Sequence, residues 1–466
     1  MGKQAVNPFL PSYEYIPDSE PYVFDGRVYI YGSHDAYRVK RLCYNNYASW
    51  SAPVTDLSDW RYDGVMFQRE EDPTYKPGES FMHAPDATRG EDGKYYLYYP
   101  MGGLGVAVSD TPSGPFRFLG RVQYKDGREY GSLWGDPMID DPAVLCSDGH
   151  VYLYTGYATR KEQNVKILNE IGRKFIGAYC TELESDMMTV KSEPRLIVPG
   201  AGYSEGTGFE GHEFFEASGM RKIGNKYYFV YSSVHGHELC YAVSDYPDRD
   251  FKYCGVIISN VDIGISEKPR AFMSNNHGNI VKVGEDWYVF YHRHTGKGGA
   301  RQACAEKIRI NPDGTIDQVE ITSQGLNGKP LCSREKYGAY IACNIFETVI
   351  EDGKESELCY KQDGADGEIC AQYVHGMQDG STAGYKYFEL DGRENKITLT
   401  FKCDSNAIIE IRRDSECGDM CATVKLSPST EWTGTTEDFR CTNGTHALYF
   451  TYRGDGIASL LDFEIE

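Results

Sequence analysis

Basic residues are scarce in this chain. Forty-eight Lys and Arg stand against 69 Asp and Glu, which leaves a net charge of −21. Phosphate backbones and anionic lipids need a basic footprint, so this balance argues against nucleic acid and membranes as partners and is compatible with a neutral ligand. Long apolar runs are also missing, and none approaches the roughly 20 residues of a membrane span. Met1 to Pro8 carry no apolar stretch of the signal-peptide kind, so a cytoplasmic location is expected. The 14 cysteines form no CxxC pair and no zinc-finger spacing, and they read as reduced thiols. Helical character is confined to about residues 161–174, which read as an insertion.

Tyrosine, by contrast, is abundant at 37 residues, and it recurs with a pattern. Five times a turn glycine precedes a tyrosine- or aromatic-rich strand: Gly26 with Val28 to Tyr31, Gly93 with Tyr95 to Tyr98, Gly149 with Val151 to Tyr154, Gly224 with Tyr227 to Tyr231, and Gly284 with Trp287 to Tyr291. A short apolar segment leads into each turn, so each unit reads as a β-hairpin. A second phrase follows each hairpin, for example Gly105 to Phe116 and Leu239 to Phe251, and adds a third and a fourth strand. Four short strands per unit, repeated five times, predict an all-β fold: a five-bladed β-propeller over residues 1–325. The repeat stops after Ile316. Strands without a fixed period follow, so residues 333–466 are expected to form a β-sandwich.

Seven or eight residues before each turn glycine stands one ionisable side chain: Asp18, Asp86, Asp141, Glu216 and His277. Quasi-rotational symmetry would bring equivalent positions to one mouth of the central channel. Any one of these residues alone reads as a turn or core residue. A ring of crowded carboxylates is harder to assign to turn chemistry, because crowding like charges perturbs their pKa values without adding stability.

These segments resemble glycoside hydrolase family 43. Pro17-Asp18-Ser19 with Gly26-Arg27-Val28-Tyr29 is similar to the family's opening segment. Asp140-Asp141-Pro142, Phe215-Glu216-Ala217 and Asn276-His277-Gly278 with His292-Arg293 match three more, in order. The resemblance implies Asp18 as general base, Glu216 as general acid and Asp141 as the residue that tunes the acid's pKa and orients it. Glu20 lacks the eight-residue offset that Asp18 keeps to Gly26, and Glu210 and Glu213 lack the one that Glu216 keeps to Gly224. The family also implies Ca2+ in the channel, reached from His277 largely through water, and no organic cofactor. Asp86 reads equally as a contact to substrate hydroxyls or as a loop anchor. His83, Trp134 and Arg293 are candidate substrate contacts.

The implied activity is inverting hydrolysis that removes terminal α-L-arabinofuranosyl residues from oligosaccharides derived from arabinoxylan or arabinan in plant cell walls. β-Xylosidase or a dual activity is the alternative, with endo-arabinanase behind it. A non-catalytic, sugar-binding propeller is the alternative of a different class. The last domain resembles a family 6 carbohydrate-binding module, with Tyr387 and Trp432 as the implied aromatic pair. A purely structural role for it is an equal reading.

Overall fold

Gly26, Gly93, Gly149, Gly224 and Gly284 all adopt φ between 60° and 83°, a region open to glycine at little steric cost. Each reverses the chain inside a hairpin, as the repeat requires. The computed structural model describes residues 3–36, 39, 41–161, 164, 165, 167, 170, 176–295, 299–346, 359–362 and 372–466. Most of the helical stretch expected at 161–174 therefore lies outside the described residues.

Four sheets have four strands each. The first blade is β1 (Glu20–Phe24), β2 (Arg27–Tyr31), β3 (Tyr47–Pro53) and β4 (Arg61–Phe67). The second is β5 (Asp86–Arg89), β6 (Tyr95–Pro100), β7 (Leu104–Ser109) and β8 (Arg117–Arg121). The third is β9 (Ala143–Ser147), β10 (His150–Gly156), β11 (Gly177–Leu183) and β12 (Arg195–Pro199). The fourth is β13 (Phe214–Ile223), β14 (Lys226–Ser233), β15 (Glu238–Ser244) and β16 (Lys252–Ser259). All pairings within these blades are antiparallel.

The fifth blade departs from expectation. It holds three strands among the described residues: β17 (Ile280–Val283), β18 (Asp286–Arg293) and β19 (Gln302–Ile308). The N-terminal segment covers its outer edge instead. Phe9 N–H donates to the Ala303 carbonyl at 3.3 Å. The Asn7 side chain both donates to the Ala305 carbonyl and accepts its N–H, each at 3.0 Å. An edge strand that would otherwise offer free backbone groups is thereby closed. At the centre, a bridge between Ser19 and Gly278 joins the first blade to the fifth.

The second strands of the blades read as continuous apolar runs because both of their faces are covered. In β6, Tyr95, Leu97 and Tyr99 pack towards the first blade, while Tyr96 and Tyr98 pack towards the third. The same division gives one apolar cluster between each neighbouring pair of blades. Each strand thus has two cores to satisfy, which is why tyrosine and phenylalanine recur in it.

The described residues between 331 and 466 form a sandwich of two sheets around one buried cluster that includes Tyr385, Phe388, Phe450 and Phe463. Tyr387 and Trp432 lie on opposite sheets, in Thr382–Leu390 and Ser429–Asp438. The Tyr387 hydroxyl donates to Glu320 of the propeller, and Trp432 instead meets Tyr373 edge-on at 5.1 Å. The aromatic pair implied by the resemblance is therefore not formed.

Buried polar contacts join the two domains. Lys386 Nζ lies 3.2 Å from Asp262 and 2.8 Å from Glu320, with little of its side chain exposed. Removing one member of a buried ion cluster strands the others without compensation. Lys386→Met is expected to destabilise the protein by about 3–5 kcal/mol, read as a lowered midpoint of thermal or urea unfolding. A loss under about 1 kcal/mol, the scale of a surface pair, would show that water already screens this junction.

Candidate active site

The repeat places Asp18 and Asp141 two residues before β1 and β9, and His277 three before β17; Glu216 is the third residue of β13. These four side chains, from the first, third, fifth and fourth blades, converge. His277 Nδ1 lies 3.7 Å from Asp141 Oδ2 and 4.0 Å from Asp18 Oδ1. The Glu216 carboxyl feels the charges of Asp141, His277 and Asp18.

Asp18 sits in the left-handed region, with φ at 57°, and is buried. Its N–H donates to His292 Nδ1 at 3.3 Å. His292 Nε2 lies 3.0 Å from the Asn275 carbonyl, so that nitrogen carries the proton. Arg301 donates to Asp18 Oδ1 from Nη1 at 2.8 Å. The same guanidinium grips Asp35 through Nε at 2.9 Å and Nη2 at 3.1 Å. Burial alone would raise the pKa of Asp18. The Arg301 charge, together with His292 and His277, outweighs it and holds the carboxyl well below the usual range, so Asp18 is ionised at neutral pH.

Glu216 has the opposite environment. Desolvation first, and the Asp141 charge second, push its pKa up to about 8. The backbone here is irregular: the β13–β14 register shifts on both sides of Glu216, and Ala217 has φ of 67°. A β-carbon makes that conformation costly. The Ala217 N–H donates to Asp141 Oδ2 at 2.9 Å, which pins the kink. Asp141 itself has φ of 45°. It thus raises the acid's pKa by charge and fixes the acid's position through one hydrogen bond.

His277 is buried beneath this trio. Burial alone would lower its pKa, but Asp141, Glu20 and Asp18 together raise it to about 9. The ring is an imidazolium at neutral pH, with no lone pair on either nitrogen. Its Nε2 and Glu20 Oε1 face each other at 3.7 Å, each without a hydrogen-bond partner. A hard cation such as Ca2+ takes oxygen ligands, so the donor set does not fit direct ligation by His277.

The remaining candidates lie elsewhere. Asp86 is the first residue of β5 and fully buried. Its oxygens accept from Tyr22 Oη at 2.8 Å, Ala87 N–H at 2.7 Å and Val144 N–H at 2.7 Å. It ties three blades together, a geometry that suits the anchor reading. Burial and the neighbouring Glu20 charge raise its pKa to about 7. Arg293 is also corrected: it turns away from the cluster and donates to Gln302 and to the carbonyls of Tyr340 and Ala342, at the junction with the sandwich. His83 and Trp134 are exposed on the loops entering β5 and β9.

Sequence reasoning missed Arg301. Successive strand residues point to opposite faces. Once His292 faces Asp18, its neighbour Arg293 must face away, and that alternation could have moved the choice to another arginine. Deeper in the channel, Arg221 donates to Glu20 at 3.0 Å and to Tyr22 Oη at 3.1 Å, with its guanidinium 4.2 Å from the Tyr22 ring centre.

The family model for glycosyl hydrolases family 43 matches residues 6–316. The chain belongs to glycosyl hydrolases family 43. It is 47% identical to a xylosidase/arabinosidase of Thermoclostridium stercorarium, over 100% of this chain and 99% of that one. An arabinoxylan arabinofuranohydrolase of Paenibacillus polymyxa is 28% identical over 96% of this chain and 72% of its own. Among solved structures, a β-xylosidase/α-arabinofuranosidase from a compost metagenome, in complex with xylotriose, matches with a TM-score of 0.53 and 26% identity, covering 68% of this chain and 98% of that one. An arabinoxylan arabinofuranohydrolase from Bacillus subtilis shares the fold across 99% of both chains, with a TM-score of 0.54 and 20% identity. The protein is therefore a glycoside hydrolase with a five-bladed propeller and a C-terminal sandwich.

The two roles of Asp141 can be separated. Glu216 must hold its proton to act as an acid, so kcat/KM is expected to fall as pH rises through about 8. Asp141→Asn keeps an oxygen for the Ala217 N–H but removes the charge that raises the pKa. The alkaline limb should then move to lower pH in a pH–rate profile. An unmoved limb would show that desolvation alone sets the acid.

Proposed function

We propose that the enzyme removes terminal pentosyl residues from oligosaccharides derived from arabinoxylan or arabinan, with inversion at the anomeric carbon. The α-L-arabinofuranosyl group is the first-choice substrate and β-xylosyl the second, a pairing favoured by the name of the relative that matches end to end. The observation that carries the reading is the split between two carboxyls at one channel mouth: Asp18 is held ionised by Arg301, and Glu216 is held protonated to about pH 8.

An inverting glycosidase needs that division of labour and a separation of roughly 6.5–9.5 Å, so that water fits behind the sugar. Side chains on the first and fourth blades suit such a gap. Asp18 accepts a proton from water as the oxygen attacks the anomeric carbon. Glu216 gives its proton to the glycosidic oxygen, so that the leaving group departs as a neutral alcohol. The positive charge of His277 offsets the repulsion between Asp18 and Asp141, and Asp141 keeps Glu216 in place.

The test uses aryl α-L-arabinofuranoside and aryl β-xyloside with the wild type, Asp18→Ala and Glu216→Ala. Wild-type turnover is expected on both, faster on the arabinofuranoside. Asp18→Ala should lose about 10²–10⁴-fold on either substrate. Glu216→Ala should lose less on a leaving group that is already acidic than on a natural oligosaccharide. Proton NMR should show the inverted anomer first. Retention, or an Asp18→Ala variant of near wild-type rate, would overturn the assignment.

A further inference from the structure

Away from the channel mouth, three potential metal ligands meet on the fourth blade. His212 lies in the turn that enters β13, while Glu238 and Cys240 are the first and third residues of β15. His212 Nδ1 is 3.0 Å from Glu238 Oε2. Cys240 Sγ is 3.6 Å from the same oxygen and 3.9 Å from the same nitrogen. The corners of such a triangle are equidistant, at about 2.1 Å, from a point in its plane. Ligand distances for zinc are about 2.0–2.3 Å for nitrogen, carboxylate oxygen and thiolate sulfur. An ion at or just above the plane would reach all three donors without moving the backbone.

We propose that His212, Glu238 and Cys240 bind one divalent ion of the zinc class, with water in the fourth position. The donor set of imidazole, carboxylate and thiolate is the one borderline-soft metals select, and hard Ca2+ or Mg2+ would not take the sulfur. The site is supported by its surroundings. Ser233 Oγ donates to Glu238 Oε2 at 2.8 Å, the Tyr231 hydroxyl donates to the His212 carbonyl at 2.7 Å, and the His212 ring stacks on Tyr253 at 4.8 Å. Outer contacts of this kind orient ligands. Glu238 and Cys240 are buried and His212 is part-exposed, so an ion would enter past the histidine. Binding releases the thiol proton of Cys240 and any proton shared by His212 and Glu238 to solvent. The consequence is local: the metal would staple the segment entering β13, four residues ahead of Glu216, to β15.

Full-length protein freed of metal by chelation is titrated with Co2+, then with Zn2+. One equivalent of Co2+ should give a sulfur-to-cobalt charge-transfer band, which Zn2+ abolishes. The band should persist in Cys254→Ala, which alters an exposed thiol, and vanish in Cys240→Ala. His212→Gln, at a part-exposed position that folding tolerates more readily, should weaken Zn2+ binding about tenfold or more. No band in the wild type, a band that survives Cys240→Ala, or unchanged affinity in His212→Gln would overturn the site.

Discussion

Buried carboxylates crowded at one channel mouth need cations set between them. Asp18, Asp141 and Glu216 come from three blades, with Glu20 and Asp86 beneath them. Three groups make this crowd tolerable. Arg301 bridges Asp18 and Asp35 with one guanidinium. The His277 imidazolium stands between Asp18, Asp141 and Glu20. Arg221 meets Glu20 one layer down. Arg301 and His277 are buried and Arg221 is largely covered, so each is costly unless fully paired. The pairing also assigns chemistry. The carboxyl closest to a fixed guanidinium is the one that stays ionised, and the carboxyl left beside another carboxylate is the one that keeps its proton.

The ring is closed at the same place. The fifth blade supplies both His277, before its first strand, and Arg301, before its third. It meets the first blade through the bridge between Ser19 and Gly278, next to Asp18 itself. Closure of the propeller and the pairing of Asp18 with Arg301 therefore meet at one seam. The N-terminal segment reinforces it from outside by running along β19 in place of a fourth strand. The sandwich covers the junction further, through Arg293 and through Gln302, whose amide donates to Gln372.

Much of this was legible in the chain because the signals are local and repeated. A glycine at the turn and an ionisable residue at a constant offset fix the phase of every blade, and the phase correctly gathered Asp18, Asp141, Glu216 and His277. It left Asp86 with two readings, substrate contact or anchor. There the carboxyl accepts from Tyr22 and from the Ala87 and Val144 amides, bonds that only the packing of three blades reveals. Arg301 was not legible because it belongs to no repeated phrase; only its fold-level position beside Asp18 and Asp35 marks it. The trio of His212, Glu238 and Cys240 has the same character. Two of its members are alternate residues of one strand, but the third arrives from a turn 26 residues earlier, a separation no zinc-binding spacing rule anticipates.

The kink at Glu216 shows why a propeller can host an acid of this kind. A regular β13 would point alternate side chains to the two flanking clusters and leave none aimed along the channel. The register shifts around Glu216, and the left-handed Ala217 behind it, free one side chain from that alternation. Such a conformation persists only when its surroundings overdetermine it, and the bond from the Ala217 amide to Asp141 supplies that constraint. Asp141 then contributes both to the position of Glu216 and, after desolvation, to its raised pKa. A mutation that removes the Asp141 carboxyl altogether must perturb both, whereas one that removes only its charge perturbs the second alone.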